Sequence, residues 1–323
     1  MLLALALVAG AVVAFAAVGG DGGGDDAEEE APEARGTDDL DVAVTPLEGR
    51  PSSIAAAGGR LWVTDDQRSL VVPLDPDDGA FAGDAVEVPE GPVAIAAAGD
   101  DELWVAHAGG QVTRLEVTDD GATADEPIEV GGALITIAVD GDAVWVGDIN
   151  GRAVRRIDRT TGEPDEPIGV FGGVVRAVPD GQGGLWVTNL ESTVTRLDAE
   201  SGDLDAPVPV GSGPIGAAVV GTELWVANSD DGTITRIDIE SRQRVGNAIE
   251  VGKAPIALAA DDEHVWVLNQ DDNSLTRLTR DGGRTGDDVG LGSRPRGLVL
   301  TPAGVWAAGI EPSAAVLVSP RSG

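Results

Sequence analysis

Short runs of alternating hydrophobic and polar residues fill most of this chain, and clusters of Gly, Pro, Asp and Asn separate them. From residue 51 onward the runs recur in a fixed order. The first strand of each unit follows a Gly/Pro turn, and the second contains Leu/Val-Trp-Val. The third strand reads like Thr-Ile-Thr-Arg-Ile-Asp, and the fourth is a short run such as Pro-Ile-Glu-Val. Such alternation between turn residues indicates half-buried strands, and no helical periodicity competes with it. The pattern predicts an all-β body built from four-stranded units.

A tryptophan marks the second strand of every unit. Successive tryptophans are 42, 41, 41, 39, 41 and 40 residues apart, and none lies outside the series. They are Trp62, Trp104, Trp145, Trp186, Trp225, Trp266 and Trp306. A period of about 40 residues made of short strands is typical of a β-propeller blade. The spacing predicts seven blades over residues 41–319, with the tryptophans packed between blades.

The last repeat is one strand short before the chain ends. The missing pattern stands at the other end of the body, because DVAVTPLEGRP (residues 41–51) matches segments such as PIEVGGAL. We expect this N-terminal strand to complete the final blade and so remove the free sheet edges. The predicted fold is an all-β, seven-bladed β-propeller closed by its N-terminal strand, and we expect it to be monomeric.

The first 40 residues differ from the body in composition. Residues 1–20 carry no charge and have the length of a membrane-spanning helix, but Ala14-Phe15-Ala16 also offers a signal-peptide cleavage pattern. Both alternatives stay open. Residues 21–40 are rich in acidic residues and predict a disordered linker. An acidic flank is compatible with a body outside the cytoplasm. We therefore expect an extracytoplasmic propeller, attached to the membrane through residues 1–20 if they are not cleaved.

Charge and composition exclude several functions. The formal net charge is −35, from 56 acidic and 21 basic residues, so nucleic acid is not an expected partner. The absence of cysteine excludes disulfides, thiolate metal sites and a cysteine nucleophile. No P-loop, G-x-S-x-G or H-E-x-x-H motif is present.

The repeat P-x-x-I-A…L-W-V-x-N…G-T-V-T-R-I-D resembles YVTN/NHL-type propellers, including the virginiamycin B (streptogramin) lyase family and the outer sensor propellers of actinobacterial receptor kinases. The resemblance implies a ligand site at the mouth of the central channel. For a lyase it also implies His and Glu residues that converge on one face, with Mg²⁺. This chain has two histidines: His107 follows its tryptophan, whereas His264 precedes Trp266. The two should lie on opposite faces, so no catalytic residue is assigned.

Polar residues recur three positions after each tryptophan. They are Asp65, His107, Asp148, Asn189, Asn228, Asn269 and Gly309. The favoured interpretation is structural, since Asn and Asp in such positions accept hydrogen bonds from turn amides. The alternative is functional. Asp65, His107 and Asp148 would then bind a divalent cation, Mg²⁺ or Ca²⁺, as in sugar-lactonase-like propellers, while Asn189, Asn228 and Asn269 would contact a ligand.

Basic residues form two further patterns. One arginine recurs at the same position of the third strand and indicates structural pairing on the sheet; it is Arg114, Arg156, Arg196, Arg236 and Arg277. By contrast, Arg176 stands alone in a first-strand position that is Ser, Ala, Thr or Gly in the other blades. We expect Arg176 and the nearby Arg296 to reach the channel and meet an anionic ligand, or else to pair with the acidic rim.

These patterns favour one function and leave two alternatives. The leading hypothesis is a non-catalytic, extracytoplasmic propeller of sensor or scaffold type. It would bind an unidentified ligand or envelope protein and require no cofactor. The second is a metal-dependent enzyme, streptogramin lyase-like or lactonase-like, that acts at the channel mouth through Asp65, His107 and Asp148. The third is a structural surface protein without a ligand.

Overall fold

The computed structural model describes residues 33–321, and all regular structure in that range is β-strand. Within these residues no helix is long and apolar enough to cross a membrane. Residues 1–20, predicted as an anchor or signal peptide, and residues 21–32 of the predicted linker lie outside the described range.

The strands follow the predicted repeat. The first two precede it and are β1 (Ala34–Arg35) and β2 (Leu40–Pro46). The first three repeats contain β3 (Pro51–Ala57), β4 (Arg60–Asp65), β5 (Leu70–Leu74), β6 (Val86–Glu87), β7 (Pro92–Ala97), β8 (Glu102–His107), β9 (Gln111–Thr118), β10 (Gly121–Ala124), β11 (Ile128–Glu129), β12 (Leu134–Asp140), β13 (Ala143–Asp148), β14 (Ala153–Asp158) and β15 (Ile168–Gly169).

The other four repeats contain β16 (Val174–Pro179), β17 (Gly184–Asn189), β18 (Thr193–Asp198), β19 (Val208–Pro209), β20 (Pro214–Val220), β21 (Glu223–Asn228), β22 (Thr233–Asp238), β23 (Ile249–Glu250), β24 (Pro255–Ala260), β25 (His264–Asn269), β26 (Ser274–Thr279), β27 (Val289–Leu291), β28 (Pro295–Thr301), β29 (Gly304–Ile310) and β30 (Ser313–Pro320).

Seven antiparallel sheets form the blades of a propeller. In chain order they are β3-β4-β5-β6, then β7-β8-β9 with β10 and β11 on β9, β12-β13-β14-β15, β16-β17-β18-β19, β20-β21-β22-β23, β24-β25-β26-β27 and β28-β29-β30-β2. Each blade's first strand contacts the first strand of the next blade, and β28 contacts β3 to close the ring. The predicted seven-bladed, all-β propeller is confirmed.

The N-terminal strand closes the last blade as predicted. β2 pairs with β30 over its full length, from Leu40 opposite Pro320 to Pro46 opposite Ala314. The Leu40 side chain is buried in a cluster shared by the last two blades. In addition, β1 pairs with β27 at the outer edge of the sixth blade. Residues 33–40, the end of the range predicted as a linker, thus supply β1 and the first residue of β2.

Tryptophans and arginines hold the repeats together. Each tryptophan is buried and packs against the following blade; Trp306 reaches the first blade and lies with Val63 and Leu74. The recurrent third-strand arginines pair with carboxylates, for example Arg236 with Glu223 at 2.7 Å. The Arg236 guanidinium also lies 5.0 Å from the centroid of the Trp225 ring. These residues are structural, as their repetition in successive blades predicts.

One backbone irregularity recurs in all seven blades. The register between first and second strands shifts directly after the first residue of the first strand, which is the mark of a β-bulge. The residue skipped by the pairing lines the central channel in every blade. We call these residues the bulge ring: Ser52, Val93, Ile135, Val175, Ile215, Ile256 and Arg296.

Candidate functional site

The first strands surround a cavity of about 320 Å³ in the centre of the propeller. The bulge ring forms one level of its wall, and five of the seven ring residues are Val or Ile. Small residues line the next level because the strands crowd together there; Ser53, Ala94 and Gly297 are examples. The cavity is therefore lined mostly by apolar residue types, although polar atoms, from Arg176, Gln270 and Arg296 among others, contribute more of its exposed wall than apolar atoms do.

Charge in this cavity has the opposite sign to the charge of the molecule. Arg176 and Arg296 are the charged residues of the lining, and no carboxylate of residues 33–321 belongs to it. The whole chain, in contrast, carries a formal charge of −35. Two guanidinium groups in a narrow channel without carboxylates make a local site for an anion inside an acidic protein.

Arg176 is the third residue of β16, and its side chain lines the channel. The Arg176 backbone amide donates to the Thr188 hydroxyl at 3.1 Å. Its guanidinium, in contrast, finds no hydrogen-bonding or ionic partner among residues 33–321. Burial lowers the pKa of Arg176. An arginine nevertheless stays protonated near neutral pH, so the channel holds a positive charge without a protein acceptor.

Arg296 is the bulge-ring residue of the last blade. It lies close to the charged rim of the channel, which includes Arg50, Asp66 and Arg294. Burial lowers its pKa, and the positive charge of Arg294 lowers it further, while Asp66 acts in the opposite direction. The rim arginines themselves are paired: Arg50 donates to both carboxylate oxygens of Asp66 at 2.6 and 2.8 Å. Ion pairing with the acidic rim, the alternative stated for Arg176 and Arg296, is thus seen at the neighbouring Arg50.

The two sides of the channel mouth differ in polarity. Ile135 and Val175 of the bulge ring pack with Ile149, Leu190 and Ile215 on the third to fifth blades. The arginine-bearing rim belongs to the last and first blades, which lie across the ring from these residues. Arg176 belongs to the fourth blade, so it lies on the same side as this apolar group and across the ring from Arg296. A ligand in the channel therefore meets a guanidinium group from each side, with the apolar residues beside Arg176.

The predicted carboxylate ligands Asp65 and Asp148 serve the turns of their own blades. Asp148 accepts hydrogen bonds from the amides of Ala133, Asn150 and Gly151 at 2.9–3.0 Å. Asp65 does the same in the first blade. Burial tends to raise the pKa of Asp65, but turn amides and the Arg68 guanidinium hold it below its usual value.

His107 lies in the core of the second blade. Its side chain is fully buried, and Nε2 lies 3.0 Å from the Thr113 hydroxyl. Burial lowers the pKa of His107 to about 4, against a smaller opposing effect of the Pro89 carbonyl. The imidazole is therefore neutral at pH 7. The amide of Asn228 makes the equivalent contact with Thr235 at 2.9 Å, so His107 fills a structural position.

The structure does not bring the predicted metal ligands together. Asp65, His107 and Asp148 end the second strands of three different blades, and each contacts groups of its own blade. No group of three His, Asp or Glu side chains in residues 33–321 could hold a metal ion. The physical reason is local, because turn amides already occupy Oδ1 of each carboxylate and the Arg68 guanidinium occupies Oδ2 of Asp65.

The predicted ligand-binding asparagines are also engaged within their hairpins. Asn189, Asn228 and Asn269 are buried, and their amides donate to nearby hydroxyls, as in Asn189 to Thr193 at 2.6 Å. None of the three lines the cavity. Of the five predicted ligand-binding residues, the structure therefore brings Arg176 and Arg296 into the channel and leaves the asparagines in the hairpins.

The two histidines lie far from each other in the propeller. His107 is the last residue of β8, whereas His264 is the first residue of β25. These are opposite ends of the second strand, hence opposite faces of the disc. Within residues 33–321 no pair of histidines can act on one substrate.

Sequence reasoning missed the bulge ring and Gln270. The Gln270 side chain is buried, donates to the Pro295 carbonyl at 3.0 Å and lines the channel. Its signal was its place directly after Asn269, where the other blades carry Asp, Ala, Ile, Leu or Ser. The bulge ring is harder to see in the sequence. Its members are the second residues of the first strands, and an apolar residue at that position also fits a strand without a bulge.

Fold and site together define a seven-bladed β-propeller with a small cationic channel. The model of the virginiamycin B lyase family matches residues 40–317, and the chain belongs to this family. A comparison with curated protein sequences finds no match.

Several solved structures share the fold. A catalytically inactive histidine-to-alanine variant of virginiamycin B lyase from Staphylococcus aureus, with quinupristin, has a TM-score of 0.74 at 19% identity, over 87% of this chain and 99% of that one. A streptogramin B lyase reaches 0.75 at 16% identity, over 88% and 98%. Hydrazine synthase from Kuenenia stuttgartiensis reaches 0.69 at 18%, over 86% and 97%. At such identities the likeness concerns the fold alone.

Proposed function

We propose that this propeller is a non-catalytic binding protein of the cell envelope, of sensor or scaffold type, which holds a ligand or protein partner at its channel. The observation that carries the proposal is the Arg176 guanidinium, which lines the cavity without an acceptor among the described residues. Arg176 is half-buried, and a charge withdrawn from water without a partner lowers stability, so such groups mark candidate sites of function.

The arrangement of acid–base groups supports a role without catalysis. General acid–base chemistry requires groups within hydrogen-bonding reach of one substrate. Here His107 is neutral in the core and His264 lies on the other face. The lyase of S. aureus, by comparison, is catalytically inactive when a single histidine is changed to alanine.

The proposed location is outside the cytoplasm. The uncharged residues 1–20 support export or anchoring, and the acidic residues after them suit the outer side of a membrane. The expected partner is a small ligand or an envelope protein. Nucleic acid is not a partner on grounds of charge.

A turnover assay tests the proposal. The full chain is incubated with quinupristin and Mg²⁺, beside the S. aureus lyase as positive control, and the remaining compound is measured by liquid chromatography. We expect no loss beyond that in buffer. Saturable turnover would show that the protein is a catalyst.

Membership of the lyase family favours a second candidate, a metal-dependent lyase or lactonase. Its predicted ligands are Asp65, His107 and Asp148, which this structure leaves apart, so the candidate requires a rearrangement that brings them together. This candidate requires turnover of quinupristin or a sugar lactone that EDTA abolishes and Mg²⁺ or Ca²⁺ restores. It also requires the His107→Asn variant to be inactive although folded. Activity that persists in this variant would exclude the assigned metal site.

A further inference from the structure

The Arg176 side chain has an environment that differs from that of the paired arginines on the blade surfaces. Arg196 and Arg236, for example, each pair with a carboxylate at 2.6–2.7 Å. Arg176 has neither a carboxylate nor a carbonyl acceptor within residues 33–321. The Arg176 side chain lines the cavity, and an acceptor for its N–H donors must come from water or from a bound molecule.

The walls restrict what that molecule can be. Val93, Ile135, Val175, Ile215 and Ile256 surround the cavity on five blades. A strongly hydrated, multiply charged anion needs donors on several sides to replace its water, and these five side chains offer none. A carboxylate fits better, because its two oxygens match the fork of one guanidinium. The apolar part of such a ligand would then replace water along the bulge ring.

Volume and charge limit the ligand further. A cavity of about 320 Å³ lies near the lower end of the range of small-molecule pockets, roughly 300–1,000 Å³. One unpartnered cation balances one negative charge. The rim acids, such as Asp66 and Asp271, would repel a second one.

We infer that the central channel binds a small organic monocarboxylate, with its carboxylate on the Arg176 guanidinium and its apolar body against the bulge ring. The inference rests on the proposed function, which makes the channel a ligand site, and adds the chemical class of the ligand. It does not depend on the contacts of Arg296.

Titration calorimetry on the full chain tests the ligand class. The probes are acetate, hexanoate and benzoate, with hexanamide, benzamide and inorganic phosphate as comparisons. We expect hexanoate and benzoate to bind at one site per chain and more tightly than acetate, because apolar contacts add to the ionic one. The neutral amides should bind at least about tenfold more weakly, since a charge-assisted hydrogen bond is lost.

Variants locate the site. Arg176→Met should weaken hexanoate binding at least about tenfold, and Arg176→Lys should give an intermediate loss, because lysine keeps the charge but not the fork. Arg155→Met is the matched control: Arg155 is a half-buried arginine of β14 outside the cavity lining, and its removal should leave affinity within about twofold. Circular dichroism verifies that each variant is folded.

Four outcomes would overturn the inference. These are no binding of any carboxylate at millimolar concentration, equal binding of acid and amide, unchanged affinity in both Arg176 variants, and binding of phosphate in place of hexanoate. The proposed function fails separately. Quinupristin turnover by a protein that binds hexanoate through Arg176 would exclude the non-catalytic role and leave the carboxylate site. A protein that shows neither property would exclude the carboxylate site and leave the non-catalytic role.

Discussion

His107 occupies the position at which five of the other six blades carry Asn or Asp, and its imidazole contacts Thr113 as the amide of Asn228 contacts Thr235. Arg176 also breaks the repeat, but it finds no such substitute contact among the described residues. At the scale of residues, the two exceptions thus have different meanings. His107 makes the structural contact of its position, whereas Arg176 places a charge in the channel where no described residue pairs with it.

Replacement of Arg176 by Met should stabilise the protein without ligand. The change removes a half-buried charge that has no partner among the described residues and fills the same space with an apolar chain, so we expect the free energy of unfolding to rise by about 1 kcal/mol. Urea denaturation measures it, with Arg155→Met as control. A loss of stability of similar size would mean that Arg176 supports the fold.

His107→Asn should make stability less sensitive to acid. In the unfolded chain His107 titrates near pH 6.5, whereas in the folded protein its pKa is about 4. Between these values the unfolded state binds more protons, so the wild type loses stability as pH falls from about 6.5 to about 4. The variant lacks this loss and should gain on the order of 3 kcal/mol relative to the wild type at pH 4.

Unfolding of both proteins in urea at several pH values measures this difference. Carboxylates such as Asp65 titrate in both proteins, so their contributions to the free energy of unfolding cancel when the two proteins are compared. A wild-type-minus-variant difference that stays constant with pH would show that His107 is solvated or already charged in the folded state.

At the scale of elements, β2 determines whether the ring is closed. It pairs with β30, and its first residue packs with Leu291 and Val316 at the boundary of the last two blades. A propeller without this strand would expose the edge of β30. The sequence predicted the pairing because the same turn pattern occurs at both ends of the chain.

Leu40→Ala should therefore destabilise the protein by about 2–4 kcal/mol, the usual effect of truncating a buried leucine. Val44→Ala in the same strand is the matched control. Val44 is 42% exposed, and its truncation should change the free energy of unfolding by less than about 0.5 kcal/mol. Urea midpoints provide the comparison. Equal, small effects of both changes would show that β2 does not close the ring in solution.

At the scale of the whole molecule, the excess of acidic residues opposes compactness. A formal charge of −35 lies on the chain, and the ion pairs recorded among residues 33–321 mostly involve exposed partners. Exposed pairs contribute little each, whereas the repulsion acts over the whole surface. The channel, with its arginines, is a local exception to this field.

Salt should consequently stabilise the propeller. We expect the melting temperature to rise by about 5 °C when NaCl is added to a low-salt buffer, because the added ions screen the repulsion between acidic residues. Calorimetry or circular dichroism measures it, and sucrose of equal osmolality controls for solute exclusion. A falling melting temperature would mean that the ion pairs outweigh the repulsion.

Sequence alone determined the blade number, the strand order and the closure by β2, because period, alternation and turn residues are local properties that every repeat restates. It also marked Arg176, since an arginine stands out where six blades carry small residues. Only the tertiary structure decided how the polar positions are used. Asp65, Asp148 and the three asparagines bind their own turns, and a bulge in each first strand builds the channel wall. Such outcomes depend on where backbone amides and neighbouring blades lie, which no single repeat specifies.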